Sequence, residues 1–313
     1  MLTLSTRPFG STGLNLPGLA MGGGFVRFAG FDRSIATVHR AHDLGIRYFD
    51  TSVMYRDGAS QPILGEALAD PARPHFLSTK IGYFREARHF RSVEAMHVQL
   101  RENLRLLRRD QVDLLQVHEA DWSGWWKEPS GTAPNHLFDL EDSLDFANAP
   151  VVQFLREAKE RGLCRFIGVT SHLTRVIESV DGLDAALIAY NYTPLNLSAR
   201  NHVLPAATAR GMAVIVAGLF TFVYRLPPGW ATEGSYLGPR SDLQLAALQK
   251  LQHESGLSMA ELALRFVAAD QSLASILVGG CHPEEIEQNV AAYAKGPLPA
   301  DLHAAIETIA HQF

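Results

Sequence analysis

Cysteine is nearly absent from this sequence, which has two among its 313 residues, Cys164 and Cys281. Two cysteines this far apart provide neither a disulfide framework nor a close pair of metal ligands. Long apolar runs are missing as well: no stretch reaches the roughly 18 residues of a membrane helix, and no apolar signal-peptide core stands at the amino terminus. These absences predict a cytoplasmic chain without a membrane partner.

Charge of either sign is also sparse. Charged residues make up 19% of the chain and the net charge is -5, whereas hydrophobic residues make up 47%. Disordered chains show the opposite balance, so the composition predicts a folded protein with a sizeable core. A basic run at residues 101–109 contains Glu102 and is followed by Asp110, as is typical of a solvated helix face. Because no basic stripe is available to pair with phosphates, we expect no nucleic-acid partner.

The positive signal is a repeated alternation of short apolar runs and longer amphipathic segments. Predicted strands cover residues 14–21 (weakly), 46–50, 75–80, 112–117, 165–169, 185–189, 212–217 and 276–278. Predicted helices cover residues 34–44, 92–107, 151–161, 173–180, 198–209 and 258–268, and another begins at Pro283. Gly45, Gly162 and Gly211 each end a helix directly before the next strand.

Repeated helix–glycine–strand units indicate a parallel sheet, and eight of them favour a closed barrel. We therefore predict an α/β fold, a (β/α)8 TIM barrel in which residues 1–313 form a single domain. The alternative, an open doubly wound sheet, needs a glycine-rich fingerprint after its first strand. Residues 21–24 are glycine-rich, but the G-x-G-x-x-G spacing and the acidic residue about 20 positions further on are missing, so a strand-end turn is favoured.

Two long segments interrupt this rhythm. Residues 119–150 follow the fourth predicted strand, and residues 218–240 follow the seventh. Long loops in compact domains are usually functional, and active sites of barrels lie at the carboxyl ends of the strands. We therefore expect both loops at the carboxyl-end face, beside the functional site.

Four polar residues lie at or just after the ends of three consecutive predicted strands: Asp50, Tyr55, Lys80 and His118. These strand ends converge in a barrel, and a charged residue there needs a partner. Reduction of a carbonyl group requires a hydride on carbon and a proton on oxygen. A tyrosine could exchange the proton, and a nearby ammonium group would lower the tyrosine pKa. The aspartate would hold the lysine, and the histidine could polarise the substrate oxygen.

The stretches that carry these residues resemble the aldo-keto reductase family: GIRYFDTSVMY, QPILGEAL, FLSTKIG and DLLQVHEAD, with ILVGGCHPEEIEQN near the carboxyl end. The resemblance extends over nearly the whole chain and is nearest to the bacterial aldose and galactose dehydrogenases. It implies an NAD(P)-dependent oxidoreductase that interconverts carbonyl and alcohol groups, with the four residues above as its catalytic tetrad. It also implies that no metal is required and that the cofactor lies extended across the barrel mouth.

The resemblance also implies a set of cofactor contacts. The family's G-V-S-N segment reads Gly168-Val169-Thr170-Ser171 here, which keeps two hydroxyl groups that also suit a helix N-cap. Gly279 and Gly280 precede a helix, whose N-terminus favours a phosphate. The full predicted set is Gly22, Gly23, Thr170, Ser171, Asn191, Ala217, Gly218, Phe220, Gly279, Gly280, Cys281, Glu285, Gln288 and Asn289.

Glu285 determines the predicted choice of cofactor. A carboxylate at this position would repel the 2′-phosphate of NADP but could accept a hydrogen bond from the 2′-hydroxyl group of NAD. We therefore predict that NAD is preferred over NADP. The alternative role of Glu285, together with Glu284, is to stabilise the first turn of the helix.

Trp122, Trp125, Trp126 and Tyr224 are the predicted substrate contacts, since the apolar faces of sugars stack on aromatic rings. The tryptophans would equally suit a small satellite core or a contact in an oligomer, whose state the sequence leaves open. We expect a small carbonyl, alcohol or sugar substrate, and oxidation of a sugar lactol to a lactone is one such reaction.

Two other functions stay open at this point. The first is a non-enzymatic redox sensor that binds the cofactor on the same fold. The second is an unrelated barrel enzyme that uses Lys80 as a Schiff-base nucleophile. The complete tetrad favours an active dehydrogenase or reductase over both.

Overall fold

The computed structural model describes residues 4–24, 30–128, 144–172, 174–220 and 242–311. Its strands are β1 (Thr6–Pro8), β2 (Asn15–Pro17), β3 (Leu19–Gly22), β4 (Tyr48–Asp50), β5 (Phe76–Ile81), β6 (Val112–Val117), β7 (Cys164–Thr170), β8 (Ala185–Ala189), β9 (Ala213–Ala217) and β10 (Ser275–Val278). Strands β3 to β10 close into a parallel barrel in chain order, with β10 paired to β3. The predicted (β/α)8 barrel is therefore confirmed.

The helices surround this barrel. They are α1 (Phe31–Asp43), α2 (Ser60–Ala67), α3 (Val93–Leu107), α4 (Pro150–Glu160), α5 (Thr174–Ser179), α6 (Ser198–Asn201), α7 (Val203–Ala209), α8 (Asp242–Ser255), α9 (Met259–Ala268), α10 (Pro283–Ala294) and α11 (Ala300–His311). Two short 3-10 turns cover Ala87–Arg91 and Ser123–Trp125. In the described part of the chain, no helix is long and apolar enough to cross a bilayer.

The segment predicted as one first strand, residues 14–21, is two strands. Its first half, β2, pairs antiparallel with β1, and its second half, β3, enters the barrel. Gly18 separates them, and a Cβ there would lie 2.1 Å from the Tyr293 hydroxyl oxygen and 2.8 Å from Arg7 Nε, so these two side chains pack directly against its backbone. Between β1 and β2 the fully buried ring of Phe9 lies 5.1 Å from the ring of Phe76, between the centroids. The hairpin thus closes the amino-terminal end of the barrel.

The predicted helices agree with the structure to within a few residues, with two differences. Residues 198–209, predicted as one helix, divide at His202 because its backbone leaves the helical region (φ -125°, ψ -69°). Helices α2, α8 and α11 are additional to those predicted. Local signals explain other helix ends: the Ser92 side chain accepts a hydrogen bond from the Ala95 amide at 3.1 Å, which caps α3.

The inner surface of the barrel is apolar near its closed end and polar near its open end. Successive side chains of a strand point to opposite faces, so residues two apart share the interior. Tyr48 and Leu114 belong to the buried apolar layer that contains Phe9. Two residues further along the same strands come Asp50 and Gln116, both buried. The alternation therefore carries polar groups into the interior at the carboxyl ends of the strands.

Candidate active site

A buried ion pair forms the base of the site. Lys80 Nζ donates a hydrogen bond to Asp50 Oδ1 and another, at 2.9 Å, to the carbonyl oxygen of Thr51. Asp50 is 1% exposed and Lys80 is not exposed at all. Burial lowers the pKa of Lys80, and the charge of Asp50 opposes that effect. Because Nζ is enclosed and committed to these oxygens, it is poorly placed to attack a carbonyl as a Schiff-base nucleophile.

Two further residues hold the other oxygen of Asp50. Ser78 Oγ donates to Asp50 Oδ2 at 2.6 Å, and Gln116 Nε2 donates to the same oxygen at 3.1 Å. A buried carboxylate is tolerated only when its lone pairs are satisfied, so these donors fix its orientation. Sequence reasoning missed both residues. Their signal was present, since each lies two positions before a predicted tetrad member, Lys80 or His118, and so shares its face of the strand.

Tyr55 lies over the ion pair. The Lys80 Nζ is 4.8 Å from the centroid of the Tyr55 ring, and the His118 ring meets it edge-on with centroids 5.6 Å apart. Two residues with left-handed backbones, Arg56 (φ 55°) and Asp57 (φ 53°), turn the chain immediately after Tyr55. The structure therefore brings the four predicted tetrad residues together at one end of the barrel.

The electrostatics of Tyr55 differ from the expectation. Burial, followed by the nearby charge of Asp50, raises the pKa of Tyr55 well above its usual value. The lowering of the Tyr55 pKa that the sequence predicted from Lys80 does not outweigh these two effects, since the ammonium group donates its hydrogen bond to Asp50. The phenol is therefore protonated at neutral pH, which suits a group that donates a proton.

His118 is a neutral histidine. Burial, followed by the charge of Lys80, holds the pKa of His118 well below its usual value. Ser52 Oγ lies 3.0 Å from Nδ1. A serine hydroxyl that donates to Nδ1 leaves the ring proton on Nε2, on the opposite edge of the ring. His118 can then donate a hydrogen bond from Nε2 without carrying a charge.

The predicted cofactor residues occupy the remaining strand ends of the barrel. The tetrad uses the ends of β4, β5 and β6. Thr170 and Ser171 end β7, Asn191 follows β8, and Ala217 and Gly218 are at the end of β9. Gly279 and Gly280 follow β10, and Gly22, which ends β3, lies level with Asp50 across the sheet. The tetrad residues and the predicted cofactor residues therefore lie at different strand ends of the barrel.

Polar groups on this part of the rim suit an amide-bearing ligand. The side-chain oxygen Oδ1 of Asn191 is buried and has no hydrogen-bond partner among the residues described. A buried acceptor left unpaired is costly, so this atom is suited to a donor on a bound molecule. Thr170 Oγ1 accepts the Glu119 amide at 2.7 Å, which leaves the threonine hydroxyl hydrogen to be donated. Ser171 Oγ, in contrast, donates to Asp121 Oδ1 at 2.5 Å.

The predicted glycines at the barrel rim differ in how much room there is beside their backbone. A Cβ at Gly22 would meet nothing closer than 3.8 Å, so this position has room. A Cβ at Gly23 would lie 2.4 Å from Ser60 Oγ, and one at Gly218 would lie 2.4 Å from the Tyr190 ring. Those two glycines are required by packing within the protein. Phe220, the last described residue before the gap at 221–241, is half-buried.

The start of α10 is capped by its own glutamate. Glu285 Oε2 accepts the amide of Cys281 at 2.6 Å and that of His282 at 3.3 Å, in a capping box. Cys281 is half-buried, and Gln288 is exposed on the same helix. Asn289 is buried and donates to the Gly279 carbonyl oxygen at 3.2 Å. The Glu285 carboxylate therefore has the helix-capping role considered above, while it still places a negative charge at this helix end.

The tryptophans of the long loop are buried. Trp125 is fully buried with its ring 4.7 Å from that of Phe90, and Trp126 lies 4.9 Å from the ring of Phe146, between centroids. The Trp126 indole donates to the Ala120 carbonyl oxygen at 2.7 Å. Trp122, 4% exposed, meets the Tyr83 ring at 4.8 Å. These contacts make the tryptophans part of the main hydrophobic core and not of a small satellite core. Tyr224 lies outside the described residues.

Three residues at the rim were not predicted. Tyr83, Glu119 and Tyr190 follow β5, β6 and β8, and all have left-handed backbones, with φ of 55°, 53° and 72°. Such conformations are uncommon for residues other than glycine and cluster at functional sites. All three are close enough to Tyr55 to influence its titration. The only signal in the sequence was the position of Glu119 directly after His118.

Among the described residues, no group of three His, Cys, Asp or Glu side chains is arranged to hold a metal. The model of the aldo/keto reductase family matches residues 18–311.

Relatives and solved structures match over most of their length. L-galactose dehydrogenase of Arabidopsis thaliana is 29% identical over 309 residues, covering 93% of this chain and 89% of the relative. D-threo-aldose 1-dehydrogenase of a Pseudomonas species is 27% identical, covering 96% and 97%. The crystal structure of an aldo-keto reductase from Bacillus halodurans in its holo form superimposes with a TM-score of 0.74 at 21% identity, covering 99% and 97%. The chain therefore belongs to the aldo/keto reductase family and is an NAD(P)-dependent oxidoreductase.

Proposed function

We propose that this oxidoreductase interconverts a hydroxylated carbonyl compound and its alcohol, or a sugar lactol and its lactone, with NAD preferred over NADP. The observation that carries the proposal is the buried Asp50–Lys80 pair beneath the Tyr55 ring, with neutral His118 beside it. This arrangement offers a proton donor, a charge to stabilise the donor once it has lost its proton, and a neutral hydrogen-bond donor. Transfer of a proton to or from a carbonyl oxygen requires these three groups.

Each residue of the tetrad has one task in this proposal. In reduction, Tyr55 donates its proton to the substrate oxygen, and in oxidation the tyrosinate takes it back. Lys80 favours the tyrosinate through its charge, and Asp50 holds Lys80 with the help of Ser78 and Gln116. His118 Nε2 donates a hydrogen bond to the same substrate oxygen and orients it. A bound nicotinamide supplies or accepts the hydride.

The remaining rim would hold the cofactor. Thr170 can donate a hydrogen bond and Asn191 Oδ1 can accept one, which together match the carbonyl and amino groups of a carboxamide. Gly22 leaves room for a ligand against the backbone, and the start of α10 lies on the neighbouring strand end. The curated relatives named above are dehydrogenases of sugars, which supports a polyhydroxylated substrate for this chain.

A panel of substrates tests the proposal. We expect aldoses with NAD⁺ to give a kcat/KM at least about tenfold above that of simple alcohols of the same carbon number, because each hydroxyl group that finds a partner contributes about 0.5–1.5 kcal/mol. Galactose, arabinose and glucose would be compared with butanol to hexanol, in both directions and with both cofactors. Absence of turnover with every aldose and every aldehyde would refute the proposed function.

Replacement of Glu285 tests the cofactor preference. Glu285→Gln removes the negative charge at the start of α10, while a glutamine oxygen can keep the capping hydrogen bonds. We expect the wild-type protein to bind NADH more tightly than NADPH, and the variant to narrow that ratio by up to about fivefold, as for exposed charges worth roughly 1 kcal/mol. Fluorescence titration with NADH and with NADPH measures the ratio of the two dissociation constants.

The matched control is Glu284→Gln, because Glu284 is the neighbouring carboxylate and is already paired with Arg33 at 3.0 Å. Its effect on the ratio of the two dissociation constants should be smaller. Tighter binding of NADPH than of NADH by the wild-type protein would contradict the predicted preference.

A further inference from the structure

Glu119 occupies an unusual place at the barrel mouth. It follows His118 directly, and its side chain is 17% exposed, so most of the carboxylate is withdrawn from bulk solvent. Its Oε1 lies 4.0 Å from His118 Nε2, the nitrogen that faces the substrate in the proposed function. An acidic side chain therefore stands beside the position that the reacting oxygen would occupy.

The protein holds Glu119 rigidly. The Tyr83 hydroxyl group donates to Glu119 Oε1 at 3.4 Å. The Glu119 amide donates to Thr170 Oγ1 at 2.7 Å, and its carbonyl oxygen accepts the Trp125 indole at 3.1 Å. Tyr83 and Thr170 lie at the two neighbouring strand ends and Trp125 lies in the same loop, and together they hold Glu119 in its left-handed backbone conformation, with φ of 53°. A residue whose backbone is fixed in this way has less conformational entropy to lose when its side chain binds a partner.

The surroundings of Glu119 combine aromatic rings with a carboxylate. Tyr83 follows the adjacent strand β5, Tyr190 follows β8, and both are half-buried and lie within electrostatic reach of Tyr55. Two aromatic rings offer apolar contact to carbon–hydrogen faces, whereas the carboxylate offers only hydrogen-bond acceptors. This combination matches a molecule that carries both hydroxyl groups and a carbon framework.

We propose that Glu119 is a specificity-determining residue whose carboxylate accepts a hydrogen bond from a substrate hydroxyl group next to the reacting carbon. The inference rests on the proposed function and names the substrate feature that this site selects. A substrate without that hydroxyl group would exclude water from the carboxylate without supplying the hydrogen bond that water can make, so it would bind the site less well.

The test compares two aldehydes that differ only in hydroxyl groups, glyceraldehyde and propanal. The measured quantity is the ratio of their kcat/KM values in reduction. Glu119→Met removes the acceptor while keeping a side chain of similar length, and we expect it to lower the ratio by about 10- to 100-fold, as for hydrogen bonds to a charged group. Glu119→Gln keeps a neutral acceptor and should lower the ratio less than Glu119→Met does.

The control is Glu160→Gln, an exposed glutamate at the end of α4, which should leave the ratio at the wild-type value. Thermal melting of each variant establishes that it is folded. An unchanged ratio in Glu119→Met, or an equal loss with both aldehydes, would overturn the inference, since the residue would then act through the tetrad or the fold. If the wild-type protein turns over neither these aldehydes nor any aldose of the substrate panel, the proposed function itself fails, and this inference with it.

Discussion

Tyr55→Phe is expected to lower kcat by about 10²- to 10⁴-fold, the usual contribution of a positioned acid/base group. The substitution removes one oxygen atom and leaves the ring in contact with His118 and above Lys80. The residues proposed to bind the cofactor lie on other strand ends, so the dissociation constant for the reduced cofactor should stay near its wild-type value. Steady-state kinetics with the best substrate and fluorescence titration measure the two quantities.

Tyr48→Phe is the matched control for this prediction. Tyr48 is a fully buried tyrosine on the same inner surface, and its hydroxyl oxygen lies 3.2 Å from Ser78 Oγ. It lies one layer below the mouth, so its loss should affect stability more than kcat. Turnover by Tyr55→Phe at a tenth of the wild-type rate or more would show that another group exchanges the proton.

Lys80→Met is expected to destabilise the protein by about 3 to 5 kcal/mol, because it leaves the Asp50 charge buried without its partner. Ser78 and Gln116 would still donate to Asp50, but neither carries a charge. Urea unfolding followed by circular dichroism gives the free energy of unfolding. The variant should also lose most of its activity, since the tyrosinate would lack the nearby ammonium group.

The double variant Lys80→Met with Asp50→Leu separates the effect of an unpaired buried charge on the free energy of unfolding from the effect of altered packing. When both charges are removed, no unpaired buried charge remains, so the double variant should be more stable than Lys80→Met alone. If the two single effects simply add, the ion pair is not coupled, and the proposed link between Asp50 and Lys80 is wrong.

Much of the fold was predictable because its determinants are local. Apolar runs of strand length, amphipathic segments and the glycines that end helices predicted seven of the eight barrel strands to within two residues, and β3 only as the second half of a longer run. The hairpin of β1 and β2 was not predicted, since its strands are three residues each and Phe9 becomes a core residue only through contact with distant Phe76. The division at His202, in contrast, has a local signal that the prediction overlooked, since Pro205 lacks the amide hydrogen that would bond to the carbonyl oxygen of Asn201.

The convergence of Asp50, Lys80 and His118 was predictable from their equivalent positions at neighbouring strand ends. The direction of the Tyr55 pKa shift was not, because it depends on burial and on where the Lys80 ammonium group points. The burial of Trp125 depends on a glycine in another loop. A Cβ at Gly82 would lie 3.1 Å from the Trp125 ring and 3.3 Å from His118 Cβ. A sequence pattern carries no information about such contacts between loops.

The closed amino-terminal end of the barrel has a consequence for the traffic of water and protons. Phe9 packs at that end beneath the apolar layer, so within the described residues the Asp50–Lys80 pair lies toward the opening at which Tyr55 and Glu119 stand. A substrate that fills this opening would exclude water from the surroundings of the pair. Charges interact more strongly where water is excluded, so binding of the substrate would itself strengthen the effect of Lys80 on Tyr55.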